Sequence, residues 1–532
     1  MDTELSLTGK RWLAPRCSVR DTNSILAALL EHRQLHLPAS QPLLAGLPPA
    51  LEMIRQAVAA KKRIAIFGDY DCDGITATAL LVRYFRRQGL EPFIRLPHRV
   101  RDGYGLQKAI VEEFREAGID LLITVDNGIR SVREIGLAKE YGIQTIVTDH
   151  HTPGEHLPPA DILLHPALSG CPLPHPSGAG VAFLLLSALE KDAWEEKPTD
   201  LVLAMCGTIA DLVELRGYNR QLVREGLQAL QRIENGPLAL LREHTRARTS
   251  TDVAFRIAPR INAAGRMGEP LRALEALLEG GSAIEDLDAL NTLRQQDVQT
   301  LYADVKRTMD LQSPLLFTAD ASYPHGLLGL IAGKLTEETG RPSCVVTIER
   351  DSCTASLRSP ACYHVTEGLT RCKEMLTRFG GHAQAAGCNF RREHLDALRE
   401  QLTADIVQHT QAHDLTPCVQ ADACISPEQI HSTFCAALET LEPFGSGNPE
   451  PLFLLQNTHI DAMRSVGNTG THLQCTIADT KAIGFGLSHL ADSLREPVDV
   501  LCRLQTDTWN GYKQPQLVLE DVRLAALASI TR

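Results

Sequence analysis

No apolar run in this chain reaches the roughly 20 residues that a membrane-spanning helix needs. The opening residues Met1-Asp2-Thr3-Glu4 lack the basic and then apolar pattern of a secretory leader. Neither a membrane protein nor a secreted one is expected. The 14 cysteines form no Cys-x-x-Cys pair, which argues against a structural zinc ribbon. Reduced thiols in a cytoplasm are the simple reading. Positive charge is in deficit as well. The formal net charge of −12 argues against a protein-wide phosphate footprint, which needs basic residues. Internal repeats and low-complexity tracts are absent.

The chain has 532 residues, enough for two to four domains with ample core. Its 44% apolar and 22% charged content is that of an ordinary globular protein. Net charge does not report local fields. Basic residues cluster at Arg83/Arg86/Arg87, Arg95/Arg99/Arg101, Arg242/Arg246/Arg248, Arg256/Arg260/Arg266 and Arg371/Lys373/Arg378. Such clusters permit a nucleic-acid channel without demonstrating one.

Strand and helix signals alternate between about residues 50 and 165. Apolar strands are expected at 64–67, 92–96, 121–125, 145–148 and 161–164, with helices at 106–117 and 131–141. That is the pattern of a parallel sheet with crossover helices, an α/β fold. A buried helix at 201–209 leads into Asp211. Residues 283–312 contain no Gly and no Pro, and their apolar residues fall near helical spacing. They read as one long connector, or as two helices broken near Arg294-Gln295-Gln296-Asp297. A second α/β region follows from Ser313 to about Thr410. Beyond Pro417, short strands with regular turn signals suggest a small β-barrel. The expected units are an N-terminal segment at 1–45, a catalytic domain at 46–270, a connector at 271–312, a second α/β domain at 313–412 and a barrel at 413–532.

The acidic run Asp69-Tyr70-Asp71-Cys72-Asp73-Gly74 carries the most chemical information. Three crowded carboxylates at the mouth of an apolar strand repel each other, and a divalent cation is the usual remedy. Asp-x-Asp-x-Asp-Gly also opens an EF-hand loop. That loop needs a bidentate Glu at its twelfth position, where this chain has Leu80. A solvated turn is the other bland reading. Three further segments argue for metal: Asp126 after 121–125, Asp149-His150-His151 after 145–148, and Asp211. A lone Asp after a strand is often a helix N-cap, but four such items converge on one sheet edge, where open α/β sheets bind ligands. Oxygen-rich ligation with one or two imidazoles suits Mn²⁺ or Mg²⁺ better than zinc, although imidazole leaves zinc possible. Two such ions about 4 Å apart can clamp a phosphodiester.

These motifs, in this order, resemble the DHH phosphoesterase family, and its RecJ-type members in particular. His98-Arg99-Val100-Arg101-Asp102-Gly103-Tyr104-Gly105-Leu106, Ser177-Gly178-Ala179-Gly180-Val181-Ala182-Phe183 and Arg260-Ile261-Asn262-Ala263-Ala264-Gly265-Arg266 are similar to RecJ-type segments. Gly380-Gly381-His382 through Gly387 resembles the glycine motif of the DHHA1 domain. Pro443-Phe444-Gly445-Ser446-Gly447-Asn448-Pro449 resembles the entry to the RecJ OB-fold. Tyr323-Pro324-His325-Gly326-Leu327-Leu328-Gly329 and Ser356-Leu357-Arg358-Ser359 depart from the usual pattern.

The resemblance implies a parallel-sheet DHH domain joined by a long helix to a DHHA1 domain, plus a C-terminal OB-like barrel with no further domain after it. It implies a 5′→3′ exonuclease on single-stranded DNA that serves recombination and repair with two Mn²⁺ or Mg²⁺ ions. Asp69, Asp71, Asp73, Asp126, His150 and Asp211 would hold metal, with Asp69 a direct ligand or a support. Asp126, Asp149 and His151 would be catalytic. His151 would contact the scissile phosphate or assist the leaving group. Arg101, Tyr104, Arg260, Asn262, Arg266, Arg358, Ser359, Gly380, Gly381, His382 and Gly387 would grip the DNA. The implied partners of a cytoplasmic monomer are single-stranded DNA, a helicase and a single-strand-binding protein. The alternatives are a DHH enzyme acting on short oligonucleotides or cyclic dinucleotides, and a non-catalytic replication scaffold.

Overall fold

The strand Ile64–Phe67 is four consecutive apolar residues, all buried. A strand buried on both faces reads as such a run, not as an alternation. In a computed structural model, described at residues 5–36, 40–99, 101–103, 105–191, 196–410, 415–467, 469–507 and 513–525, both faces are indeed covered. Ile64 and Ile66 pack with the helices Leu47–Ala59, Cys72–Arg87, Gly178–Glu190 and Pro198–Ala210. Ala65 and Phe67 pack on the other side with Lys108–Glu116 and Val132–Glu140.

The catalytic sheet is five-stranded and parallel. Its order is Phe93–Arg95, Ile64–Phe67, Leu121–Val125, Gln144–Thr148, Ile162–Leu164. The chain leaves Ile64–Phe67 toward one edge and then returns to build the other. The strand order therefore reverses between Ile64–Phe67 and its neighbours, and a crevice opens at their carboxyl ends. Asp69, Asp126 and Asp149 follow three of these strand ends.

The connector is one helix, Ser282–Thr308. At 27 residues it spans about 40 Å. No break occurs at Arg294–Asp297. The preceding helix Pro270–Leu278 is separate and packs into the catalytic core through Ala273, Leu274 and Leu277. The second α/β domain has a five-stranded mixed sheet ordered Leu376–Gly381, Ala385–Arg391, Ser352–Arg358, Ser343–Glu349, Leu316–Asp320. Val298 and Val305 of the connector pack beneath this domain with Leu328, Ile331 and Leu335.

Two glycines are forced by close backbone approach, Gly326 at the junction of the two α/β domains and Gly265 within the catalytic domain. A Cβ on Gly326 would fall 2.0 Å from the Arg266 carbonyl oxygen, and one on Gly265 would fall 2.1 Å from that of Tyr70.

The C-terminal domain is a seven-stranded sheet ordered Ala423–Cys424, Phe453–Thr458, Val498–Asp507, Gln514–Leu524, Thr480–Gly484, His472–Ile477, Asp461–Val466. It wraps a core that also takes Ile25 and Leu29 of the N-terminal helix Thr22–His32. The N-terminal segment is thus a distant part of this domain. Arg11–Leu13 pairs in parallel with Cys418–Gln420. Arg33 is buried, pairs with Asp422 at 3.0 Å and donates to Asn448 Oδ1 at 3.0 Å.

Arg33→Ala removes one partner of a buried ion pair and strands the Asp422 carboxylate. That is expected to destabilise the C-terminal domain by roughly 3–5 kcal/mol. A lowered melting temperature in scanning calorimetry checks it; a loss typical of an exposed pair, under about 1 kcal/mol, would show that the arm does not depend on Arg33.

Candidate metal centre and nucleic-acid cleft

The acidic run forms the turn between Ile64–Phe67 and Cys72–Arg87. Asp71 is the N-cap of that helix, and its Oδ1 accepts from the Gly74 N–H at 3.1 Å. Asp69 Oδ1 accepts from the Tyr70 N–H at 2.7 Å. Asp73 points into the body of the domain. Its carboxylate accepts from the Ser177 hydroxyl at 2.9 Å and from the Gly178 and Ala179 N–H groups at 2.6 and 2.9 Å. These donors open the helix Gly178–Glu190, so a helix N-terminus braces a buried negative charge. Gly178 has to be glycine, because a Cβ would fall 2.4 Å from Asp126 Cβ.

Asp126 sits just past Val125 with φ of 58°, a left-handed conformation that strains a non-glycine residue. Its Oδ1 lies 3.1 Å from His150 Nε2. The same nitrogen is 3.6 Å from Asp211 Oδ2 and 3.8 Å from Asp73 Oδ2. Asp69, Asp71 and Asp126 bring carboxylate oxygens within 4.8 Å of one another. All six expected ligands therefore meet around one point.

Asp149 has a different task. Its oxygens accept from the His150 and His151 N–H groups, from the Ile129 N–H and from His151 Nδ1 at 2.7 Å. It shapes the loop and leaves Nε2–H as the other donor of the His151 ring. Asp149 thus orients His151; among the described residues it joins no metal-ligand group.

Burial and mutual repulsion dominate the electrostatics. Burial, followed by neighbouring carboxylates, raises the pKa of Asp126 and Asp211 well above the usual range and lifts Asp69 to about 8. Asp73 shifts in the same direction despite its three donors. Burial holds His150 down to about 3, so its imidazole is neutral. His151 resists burial because Asp149 bonds to it, and it rises to about 9.

His150 Nε2 and Asp126 Oδ1 are both buried and have no hydrogen-bond partner among the described residues. Two acceptors held 3.1 Å apart fit a shared cation. The donor set, five carboxylates and one imidazole, fits Mn²⁺ or Mg²⁺.

A cleft of about 950 Å³ runs from this centre to the second α/β domain. His151, Tyr70 and Arg99 line the near side. Ser356, Arg378, Gly380, Gly381, His382 and Gly387 line the far side. The glycine motif is a β-hairpin, with Gly380 opposite Gly387 and Gly381 opposite Ala386. Space is open beside Gly380, where a Cβ would meet nothing within 4 Å. Arg358 bonds to Ser356 Oγ at 3.2 Å and to the Leu357 carbonyl at 2.8 Å. Burial lowers its pKa, with Arg99 adding to the effect. Arg266 is held down to about 9 by burial and then by Arg99, Arg294 and Arg358. Among the described residues, none of these four arginines has a carboxylate within ion-pair distance. Like charges gathered without counter-ions mark an anion site.

Four of the expected DNA contacts have partners within the protein and do not line the cleft. Arg260 is tied to Asp288 at 2.7 Å and to the Arg256 carbonyl at 2.6 Å, so its guanidinium serves helix packing. Asn262 Oδ1 accepts from the Cys72 N–H at 2.8 Å and braces the acidic turn. The buried Ser359 hydroxyl donates to the Tyr363 carbonyl at 2.8 Å. Arg101 is exposed, pairs with Asp102 at 2.9 Å and does not line the cleft. Tyr104 lies outside the described residues.

Sequence reasoning assigned no role to Tyr70, Ser177, Arg294 or Ser356. Only Ser177 left a signal, as an N-cap residue before a glycine-rich helix start. Arg294 was visible only as a polar break in a long helix.

The fold and centre define a DHH phosphoesterase. The sequence model of the DHH family, N-terminal domain, matches residues 63–209. That of the DHHA1 domain matches 312–408, and that of the RecJ OB domain matches 421–521. Single-stranded-DNA-specific exonuclease RecJ from Thermus thermophilus is 36% identical, covering 90% of this chain and 71% of that protein. RecJ from Bacillus subtilis is 31% identical, and the chain spans 64% of its length. The crystal structure of T. thermophilus RecJ in complex with Mn²⁺ superposes with a TM-score of 0.86 at 32% identity, covering 98% of this chain and 80% of the other. The chain belongs to the RecJ family of single-stranded-DNA-specific exonucleases.

The carboxyl shifts carry a signed prediction. A carboxyl near pKa 4 when unfolded but near 8 when folded, as for Asp69, contributes stability below pH 4 and loses it as pH rises through 8. His151 acts in the same direction, losing its contribution as pH rises through about 9. Metal-free protein is therefore expected to melt at progressively lower temperature from about pH 5 to about pH 8. Saturating Mn²⁺ reverses the slope, because the bound ion requires ionised carboxylates. Melting curves with EDTA and with Mn²⁺ check this; parallel slopes would refute it.

Proposed function

We propose that this chain is a metal-dependent 5′→3′ exonuclease on single-stranded DNA, acting in recombination and repair. The observation that carries the reading is the union of one buried acid–imidazole centre with one arginine-rich cleft. Bound Mn²⁺ or Mg²⁺ supplies Lewis acidity and a water acidic enough to attack at neutral pH. Asp69, Asp71, Asp73, Asp126, His150 and Asp211 are the residues that hold the ions.

The remaining chemistry belongs to the chain. His151 keeps its proton at neutral pH and lines the cleft, so its ring donates toward a phosphate oxygen or the departing oxygen. Asp149 fixes that ring and stabilises its charge. Arg99, Arg266, Arg294 and Arg358 form a cationic pocket for a phosphate. A pocket placed beside the centre suits a terminal phosphate, which supports the 5′ polarity. Gly380, Gly381, His382 and Gly387 let backbone approach the strand, and Tyr70 offers a ring to a base. The C-terminal OB domain extends the single-strand track.

The net charge of −12 leaves the grip on DNA to these local arginines. Partners that supply an unwound strand, a helicase and a single-strand-binding protein, fit a nuclease confined to single strands. All 14 cysteines are free thiols, and no helix among the described residues is long and apolar enough to cross a membrane. Both support work in a reducing cytoplasm.

The working units are 46–270, 271–312, 313–412 and 413–532, with 1–45 as the N-terminal segment. The three matched ranges support them. The packing of Pro270–Leu278 limits the free connector to Ser282–Thr308.

A strand labelled at either end, digested with Mn²⁺, tests the reaction. Asp126→Ala and His150→Ala are expected to abolish cleavage while strand binding survives. Arg358→Ala is expected to raise KM roughly tenfold for a 5′-phosphorylated strand, the value of one charge-assisted hydrogen bond, and to leave a 5′-hydroxyl strand unaffected. Normal cleavage by the Asp126 or His150 variant would overturn the site. Nucleotides released only from the 3′ end would overturn the polarity.

A further inference from the structure

The turn cluster at 443–449 is remote in sequence from the acidic centre, yet it holds the segment that carries Asp211. The helix Pro198–Ala210 ends at Asp211, and Gly217–Arg232 begins the next element. The turn between them contains Leu212, with φ of 58° and an exposed side chain. Leu212 N–H reaches back to the Ile209 carbonyl only at 3.3 Å. Leu215 N–H instead crosses to the C-terminal domain and donates to the Ser446 carbonyl at 2.8 Å.

The surfaces meet without slack. A Cβ on Gly445 would fall 2.7 Å from Leu215 Cδ1, and one on Gly447 would fall 3.0 Å from Glu214 Cβ. Arg220, in the helix after the turn, donates to the Leu441, Glu442 and Pro443 carbonyls at 2.9, 2.7 and 3.4 Å. Ser250 Oγ donates to the Phe444 carbonyl at 2.6 Å. The cluster is rigid in its own right. Asn448 is fully buried and donates to the Leu441 and Pro443 carbonyls at 2.8 and 2.9 Å. No residue of 443–449 lines the cleft described above.

A strained turn keeps its shape only when its surroundings over-determine it, and its backbone groups need partners. Here the C-terminal domain supplies a share of both, beside the Asn219 Nδ2 bond to the Glu214 carbonyl at 3.2 Å and the packing of Leu215 in the catalytic core. We propose that residues 443–449, with Arg220, form a positioning latch that sets Asp211 against His150 and Asp73. Seating of the C-terminal domain is thereby coupled to metal affinity. The latch rests on the reading of Asp211 as a metal ligand. Loss of a residue that orients a ligand costs roughly 10–100-fold in metal affinity.

The test uses full-length protein free of DNA, with Mn²⁺ titrated and free ion read by electron paramagnetic resonance. Gly445→Ala and Arg220→Ala are expected to bind one Mn²⁺ roughly tenfold more weakly. Arg220→Lys recovers part of that loss. Binding of an oligothymidine strand in EDTA stays unchanged. Either alanine variant that folds can carry the test if the other does not. Unchanged Mn²⁺ affinity in a folded variant overturns the latch. Weakened strand binding with unchanged Mn²⁺ affinity also overturns it and places the cluster on the DNA track. Asp211→Asn separates the two levels: if it retains full Mn²⁺ affinity, the ligand reading falls, and the latch with it.

Discussion

Mutual repulsion among buried carboxylates is the constraint on which this molecule turns. Asp69, Asp73, Asp126 and Asp211 are all pushed toward their protonated forms by burial and by one another. Such a cluster is not a product of stable packing. It persists because the parallel sheet reverses its order at Ile64–Phe67 and delivers three loops to one crevice. A helix N-terminus then braces Asp73. The centre is a stored electrostatic cost that a divalent cation relieves, so affinity for the ion and stability of the loaded fold are linked.

The opposite imbalance gathers where the catalytic domain, the connector and the second α/β domain meet. Arg99, Arg266, Arg294 and Arg358 crowd one region, and burial lowers the pKa of three of them. Among the described residues, the buried carboxylates of the centre and these guanidinium groups form no ion pair with each other. A phosphodiester strand satisfies both, its oxygens taking the arginines and the ions at once. This is why a chain with net charge −12 is suited to nucleic acid: the relevant field is that of the cleft.

Much of this was legible before any coordinates. Leu121–Val125 is four apolar residues and Thr124, all buried and followed by Asp, and the strand is found at those bounds. The six proposed ligands were each readable as an acid or imidazole at an element's end, and their side chains fall in overlapping groups around His150 and Asp126. What escaped has a common physical cause. Ser352–Arg358, Leu376–Gly381 and Ala385–Arg391 are strands whose pairing is non-local; Cys353, Ala355 and Leu357 do alternate with polar residues, but residues this small make the period faint. Arg260, Asn262 and Ser359 were of the right type for DNA contact but are spent on Asp288, Cys72 and Tyr363. Residue type cannot reveal which partner arrives from elsewhere in the chain. The N-terminal arm escaped likewise, since Arg11–Leu13 finds its strand partner at Cys418–Gln420.

Strain explains why so much protein surrounds so small a centre. Asp126 and Leu212 both have φ of 58°, at a cost of order 1–3 kcal/mol each. One is a proposed ligand and the other follows a proposed ligand. Asp126 is held by its N–H bond to the Thr148 carbonyl and by Gly178, which admits no side chain beside it. The turn after Asp211 draws on both domains: Asn219 Nδ2 donates to the Glu214 carbonyl at 3.2 Å and Leu215 packs in the catalytic core, while Ser446 and Gly445 meet it from the C-terminal domain. The wall that carries Asp211 thus draws part of its rigidity from a second domain. A parallel sheet alone would fix Asp126 and His150 and leave Asp211 freer to relax away from its repulsive neighbours. The C-terminal domain narrows that escape.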